Sequence, residues 1–356
     1  MSGPNQPHPP VRAPRPDRRR APQSRAWFSA LLLAPLLLGP SLAGCPARFP
    51  SINVPFAPWA GNAYLPLAQR QGFDRSAGIR LEIAAYDDPQ QIVRAWLRGE
   101  LSVAPLSSVE VVEVCSRRPE RCPVVVLVLD ESRGADQLIV HRSLSDLRDL
   151  RGRRVGLAPS SLGPFLTSRA LESVGLDIAD VRLVPMAPAA LASALNNGRI
   201  DAAATYPPFS DLVLQLGIAR VAFDSRDLPG EILTLLVVDP RFLAENREAL
   251  ARLLLAWEWA HAWARRDPQG TGPILAGLQN TSVSGLRRVE RSLLYFPLDR
   301  QGHRLGEGGE VAAALAAVQE VQRDLGIVRA DAPLPAVSGA LVEQALQLGS
   351  RLSPPK

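Results

Sequence analysis

From Ser51 onward, short apolar runs alternate with stretches of helical spacing, and this alternation limits the available folds more than any other feature. Residues 52–55, 79–85, 101–105 and 124–129 read as strands, with helices expected from a loop at 56–64 through Arg70, at 89–98 and at 107–115. A second set follows, with strands at 137–140, 155–158, 181–186, 202–205 and 221–225 and helices at 162–174, 188–197 and 209–216. The Leu/Val-rich run 232–238 is placed to carry the chain back to the first set. Beyond Pro240 the pattern turns helical: Leu250, Leu253, Leu254, Trp257 and His261 share one stripe, Trp259 and Trp263 lie opposite, and helices are expected at 310–326 and 337–351. Strand–helix units of this length imply an α/β fold of parallel-rich sheets flanked by helices. Ligands in such sheets sit beyond the carboxyl ends of the strands, which here fall at 59–61, 86–88, 105–107 and 130–134.

One strand–loop–helix unit carries the clearest chemistry. The run 155–158 is followed by Ser160 and Ser161, then by Leu162, Phe165 and Leu166 at helical spacing with Pro164 in the first turn. Ser160 and Ser161 are expected to cap that helix, whose free N–H groups and positive dipole end suit an anion or another hydrogen-bond acceptor.

The chain of 356 residues has a formal charge of +5, all of it in the leader. Residues 1–44 hold six Arg against Asp17, and the remainder carries 34 basic and 34 acidic residues. A neutral body has no basic excess to neutralise phosphates, which argues against nucleic-acid binding. Four His, three Cys and a single Lys at position 356 leave no clustered acid–base or nucleophile motif, so no catalytic residue, metal or cofactor is assigned. Residues 26–38 form an apolar stretch interrupted by Pro35, too short for a comfortable membrane span and suited to a signal peptide over 1–44. It ends in Leu42-Ala43-Gly44-Cys45, which resembles a bacterial lipobox with Cys45 as the lipidated residue, an anchor at the outer face of the inner membrane. In an exported chain, Cys115 and Cys122 are expected to form a disulfide.

Several segments in series resemble the solute-binding proteins of ABC importers: Trp59-Ala-Gly61, Gly99 to Pro105, Ser132-Arg-Gly-Ala-Asp136, Asp146 to Gly156, and Asn197 to Ala204. The branch is that of nitrate, bicarbonate, taurine, alkanesulfonates and thiamine-precursor pyrimidines, and the likeness covers roughly residues 50–265. It implies a two-lobed periplasmic-binding fold of type II character with a hinge: lobe 1 from 46–136 plus 236–356, lobe 2 from 137–235. The chain crosses between lobes near 132–136 and 231–234. Ligand contacts are expected from Trp59, Gly61, Tyr64, Ser107, Ser132, Gly134, Ser160, Ser161 and Tyr206, with Trp59 and Tyr206 covering the solute from opposite lobes. Asp136 and Asp201 read as structural, and Glu231 as a solvated acid. Ser102 stands where relatives have Asp, and Ala60 where many have Pro. The implied protein is a periplasmic, lipid-anchored monomer that hands a small solute to permease and ATPase subunits. A small anion (sulfonate, nitrate or bicarbonate) is the expected cargo. A pyrimidine-like heterocycle, or an enzyme on the same fold such as a pyrimidine-precursor synthase, is the alternative.

Overall fold

The computed structural model describes residues 49–354; the leader over 1–44 and Cys45 lie outside them. Two five-stranded sheets and one parallel two-stranded pair, Ser51–Phe56 with Arg80–Ala85, organise the fold. The first large sheet holds Val103–Ser107, Val124–Ser132, Leu233–Val238, Leu293–Leu294 and Ala336–Val337; the second holds Gln137–His141, Arg154–Leu157, Arg182–Pro185, Ala202–Thr205 and Ala219–Asp224. Helices pack around both, the longest being Arg247–Arg266.

The sheets are mixed rather than parallel-rich. Arg154–Leu157 pairs in parallel with both its neighbours, but Leu233–Val238 runs antiparallel to Val103–Ser107 and Val124–Ser132, and Gln137–His141 antiparallel to Ala202–Thr205 and Ala219–Asp224. Every antiparallel pair contains a strand adjoining a passage between the sheets. A strand entered from the other sheet, without its own crossover helix, is free to run reversed, whereas the strand–helix–strand units keep the parallel hand.

The chain passes between the sheets twice, through 133–136 and 225–232. Serine hydroxyls tie the two passages together: Ser132 Oγ lies 2.7 Å from Ser225 Oγ, and Gly134 N donates to Ser225 Oγ at 2.7 Å. Gly134 has φ of +112° with the Arg226 side chain against it, so a side chain at this position would be strained. The second passage starts several residues earlier than the apolar run at 232–238 suggests, because Ser225–Asp227 forms a short helical turn capped by Asp224.

Cys115 and Cys122 are joined in a disulfide between the helix Ser108–Arg117 and the strand Val124–Ser132. One charged reading changes. Glu231 is not solvated: it takes a two-point contact from Arg169, with Nε and Nη2 at 3.0 and 2.9 Å. Asp201 is structural, receiving Arg154 Nε and Nη2 at 2.9 and 3.0 Å. Among the described residues no helix is long and apolar enough to cross a membrane.

Candidate functional site

A chamber of about 440 Å³ lies between the two large sheets, at the passages that join them. That volume is within the range of small-molecule sites, and most of its wall is apolar. The first sheet's side contributes Trp59, Ser107, Glu110, Ser132 and Thr234; the second contributes Ala158, Ser160, Leu162, Met186 and Tyr206. Of the expected contact residues, Trp59, Ser107, Ser132, Ser160 and Tyr206 therefore meet at one chamber.

Trp59 is held from behind. Its indole Nε1 donates to Asp130 Oδ2 at 3.0 Å and to Thr234 Oγ1 at 3.1 Å, so what remains for a solute is its ring. Tyr206 meets that ring edge-on with centroids 6.0 Å apart, and itself packs edge-on against Phe209. Asp130 is fully buried, and desolvation pushes its carboxyl up to about 7 against the pull of the Thr234 and Trp59 hydrogen bonds.

The other four expected residues do not line the chamber, each for a local reason. Gly61 lies against Asp130, where an added Cβ would overlap the carboxylate; it is the space that lets Asp130 reach Trp59. Tyr64 is one helical turn further on and points into the core, against Trp257, His261 and Tyr295. Gly134 is occupied by the Ser225 contact. Ser161 is 4% exposed with its Oγ unpartnered, and has helical backbone angles. The expected serine cap is absent, because a residue already in the αR region cannot fold its side chain back onto the following N–H groups.

Three carboxylates that were not expected as contacts stand in the lining: Asp88, Glu110 and Asp136. Asp88 caps the helix Pro89–Arg98, accepting from Gln91 N at 3.0 Å. Glu110 closes a capping box on the helix Ser108–Arg117: its Oε2 accepts from Ser107 N at 2.9 Å and its Oε1 from Gln90 Nε2 at 2.8 Å. Both signals, Asp88-Pro89 and Ser107-x-x-Glu110, were legible in the sequence as helix starts. Asp136 is 3% exposed and sits on the first passage. Burial raises both Glu110 and Asp136, the latter to about 6. Burial, followed by the charges of Asp136, Glu110 and Asp88, holds the Tyr206 hydroxyl well above its ordinary range. Arg94 is the single basic residue in the lining, and it is exposed. Among the described residues no basic side chain pairs with Asp88, Glu110 or Asp136, and no group of His, Cys, Asp and Glu is arranged to hold a metal.

The profile of the NMT1/THI5-like family matches residues 61–271, which include most of both chamber walls. The chain belongs to the NMT1/THI5-like family. Among curated relatives, a putative binding protein of Brucella abortus is 26% identical over 145 residues, covering 40% of this chain and 46% of the relative. The chain thus spans less than half the length of the curated relatives it matches. In three dimensions the family member resembles the periplasmic aliphatic sulphonate binding protein SsuA from Escherichia coli, with a TM-score of 0.66 at 17% identity over 86% of this chain and 92% of that one. It also resembles the desulfurization enzyme DSZB, with a TM-score of 0.60 at 18% identity over 84% and 99%. These likenesses establish the two-lobed periplasmic-binding fold. The fold hosts binding proteins and an enzyme alike, so function has to be argued from the chamber.

Proposed function

We propose that this protein is the extracytoplasmic solute receptor of an ABC importer, anchored through lipid on Cys45, which closes two lobes over a small molecule and delivers it to permease and ATPase subunits. The lobes follow the two large sheets, residues 49–132 plus 233–354 and residues 137–224, and the hydroxyl-linked passages at 133–136 and 225–232 serve as the hinge. The observation that carries this reading is the chamber itself: a volume of about 440 Å³ walled from both sheets and floored by the two passages. Closing the lobes brings Trp59 and Tyr206 together, as apolar-walled pockets with few polar anchors do. Among the described residues Cys115 and Cys122 are joined to each other, so an enzymatic reading has no free thiol to use at the chamber. Names of relatives such as SsuA support the receptor class.

Of the cargo classes open from sequence, the lining favours a ring-bearing heterocycle over a bare anion. One exposed guanidinium faces three carboxylates, and two of the helix starts that would attract an anion are already capped by Asp88 and Glu110. A thermal-shift panel of anions, heterocycles and amines, followed by small-angle scattering with the best stabiliser, tests the reading. Compaction on binding is expected; an unchanged radius under saturating, tight-binding solute rejects a closing receptor.

A further inference from the structure

The charge of the lining goes further than the shape of the chamber. Asp88 and Glu110 each serve a helix start, but Asp136 serves none: the residue lines the chamber, nearly all of it is buried, and its carboxyl has the Ser132 hydroxyl but no described basic side chain to pair with. An unpaired carboxylate in that position costs the empty protein free energy, which a cation brought to it would return. Close by stand two aromatic rings. Trp59 has its indole N–H engaged by Asp130 and Thr234, so its side chain offers a solute its π system; Tyr206 stands edge-on to it in the same lining as the three carboxylates. Ring faces and carboxylates favour the same kind of group, a positively charged nitrogen. Two features of the wall favour negative charge instead. Arg94 is exposed, so water screens it, and the uncapped start of the helix Leu162–Glu172 carries only partial charge. Both are outweighed by two buried carboxylates and a third that is half-buried, in a chamber where screening is weak.

Resting on the reading of this chamber as the receptor's ligand site, we infer that its cargo is an organic cation: a flat apolar body carrying an ammonium or amidinium-like nitrogen, with the nitrogen beside Asp136 and the ring against Trp59 and Tyr206. Any hydrogen-bond acceptor on the cargo then lies toward Ser160 and the start of the helix Leu162–Glu172.

The test holds the ring constant and changes the head group. Benzyltrimethylammonium, benzylammonium, benzyl alcohol and benzenesulfonate are titrated by calorimetry into the full chain lacking only its leader, at pH 7.5. Both cations are expected to bind at least tenfold tighter than the alcohol, and the sulfonate weakest. In the Asp136→Asn variant the cations are expected to lose tenfold or more while the alcohol is unchanged. Because the wild-type series alone gives the order, a poorly folded variant does not spare the inference. Equal affinities, a sulfonate that binds as tightly as a cation, or no binding by any of the four overturns it. Scattering on the same samples separates this from the receptor reading. A sulfonate that binds and compacts the protein removes the cation and keeps the receptor; a cation that binds without compaction does the reverse.

Discussion

Two clusters of aromatic and polar side chains lie on either side of the segment 59–64, and they differ in what they do with burial. On one side Trp59 and Tyr206 border the chamber, among carboxylates. On the other, Tyr64, Trp257, His261 and Tyr295 form a sealed group, with the His261 ring stacked on Trp257 at 5.0 Å and Tyr64 5.1 Å from His261. Trp257 is fully buried and His261 is 1% exposed. The sealed cluster resolves burial by staying uncharged: desolvation holds His261 down to about 4. The chamber instead keeps the carboxylates of Glu110 and Asp136 in its lining, and burial raises both. Only four residues lie between Trp59 and Tyr64, yet one borders the chamber and the other lies in the core.

The contrast breaks first on stability. Trp257→Ala should cost about 3–5 kcal/mol, measured by denaturant unfolding, because it empties a fully packed site. Tyr206→Ala, half-buried at the chamber, should cost under about 1 kcal/mol while weakening solute binding. Comparable losses from both would erase the distinction between wall and core.

Next come opposite pH signatures. Burial raises Asp130 to about 7 in the folded chain against 3.8 for an ordinary aspartate, so the folded state holds the extra proton between those values. Its contribution to stability is therefore fully present below pH 4 and lost as pH rises through 7. Relative to wild type, Asp130→Asn should gain on the order of 3–4 kcal/mol between pH 4 and pH 8. His261 has the reverse sign: its folded value of about 4 lies below 6.5, so its contribution is present above 6.5 and lost as pH falls through 4. His261→Leu should gain roughly 2–3 kcal/mol on wild type as pH drops from 7 to 4. Urea unfolding across that range checks both slopes, and parallel slopes would contradict the account.

The smallest effect expected is at the loop that sequence favoured. With no side-chain cap formed by Ser161, Ser160→Ala combined with Ser161→Ala should change folding stability by less than about 0.5 kcal/mol. A thermal-unfolding loss equivalent to a whole cap, about 1 kcal/mol or more, would restore the capping role.

What sequence could show follows from the range of each signal. Alternation of strand and helix is local, so nearly every element was legible, as at 89–98 and 202–205, where the structure has Pro89–Arg98 and Ala202–Thr205. Strand direction is not local, and the reversed strands Gln137–His141 and Leu233–Val238 were invisible. The expected contact residues that line the chamber are ones that end a strand or open a loop: Trp59, Ser107, Ser132, Ser160 and Tyr206. Tyr64 was misplaced because helix rotation, which its own spacing could not fix, turns it to Trp257. Asp136 read as structural because its sequence neighbours resemble a turn; only the fold shows that the turn floors a chamber.

The claim that the chamber, and not the sealed cluster, receives the cargo is tested most directly by a crystal structure with the solute that best stabilises the protein. The account predicts solute density in the chamber against Trp59 and Tyr206, with a nitrogen within hydrogen-bond or ion-pair distance of Asp136, and the Tyr64–His261 cluster unchanged. Density outside the chamber, or a solute whose anionic end lies against Asp136, would contradict it.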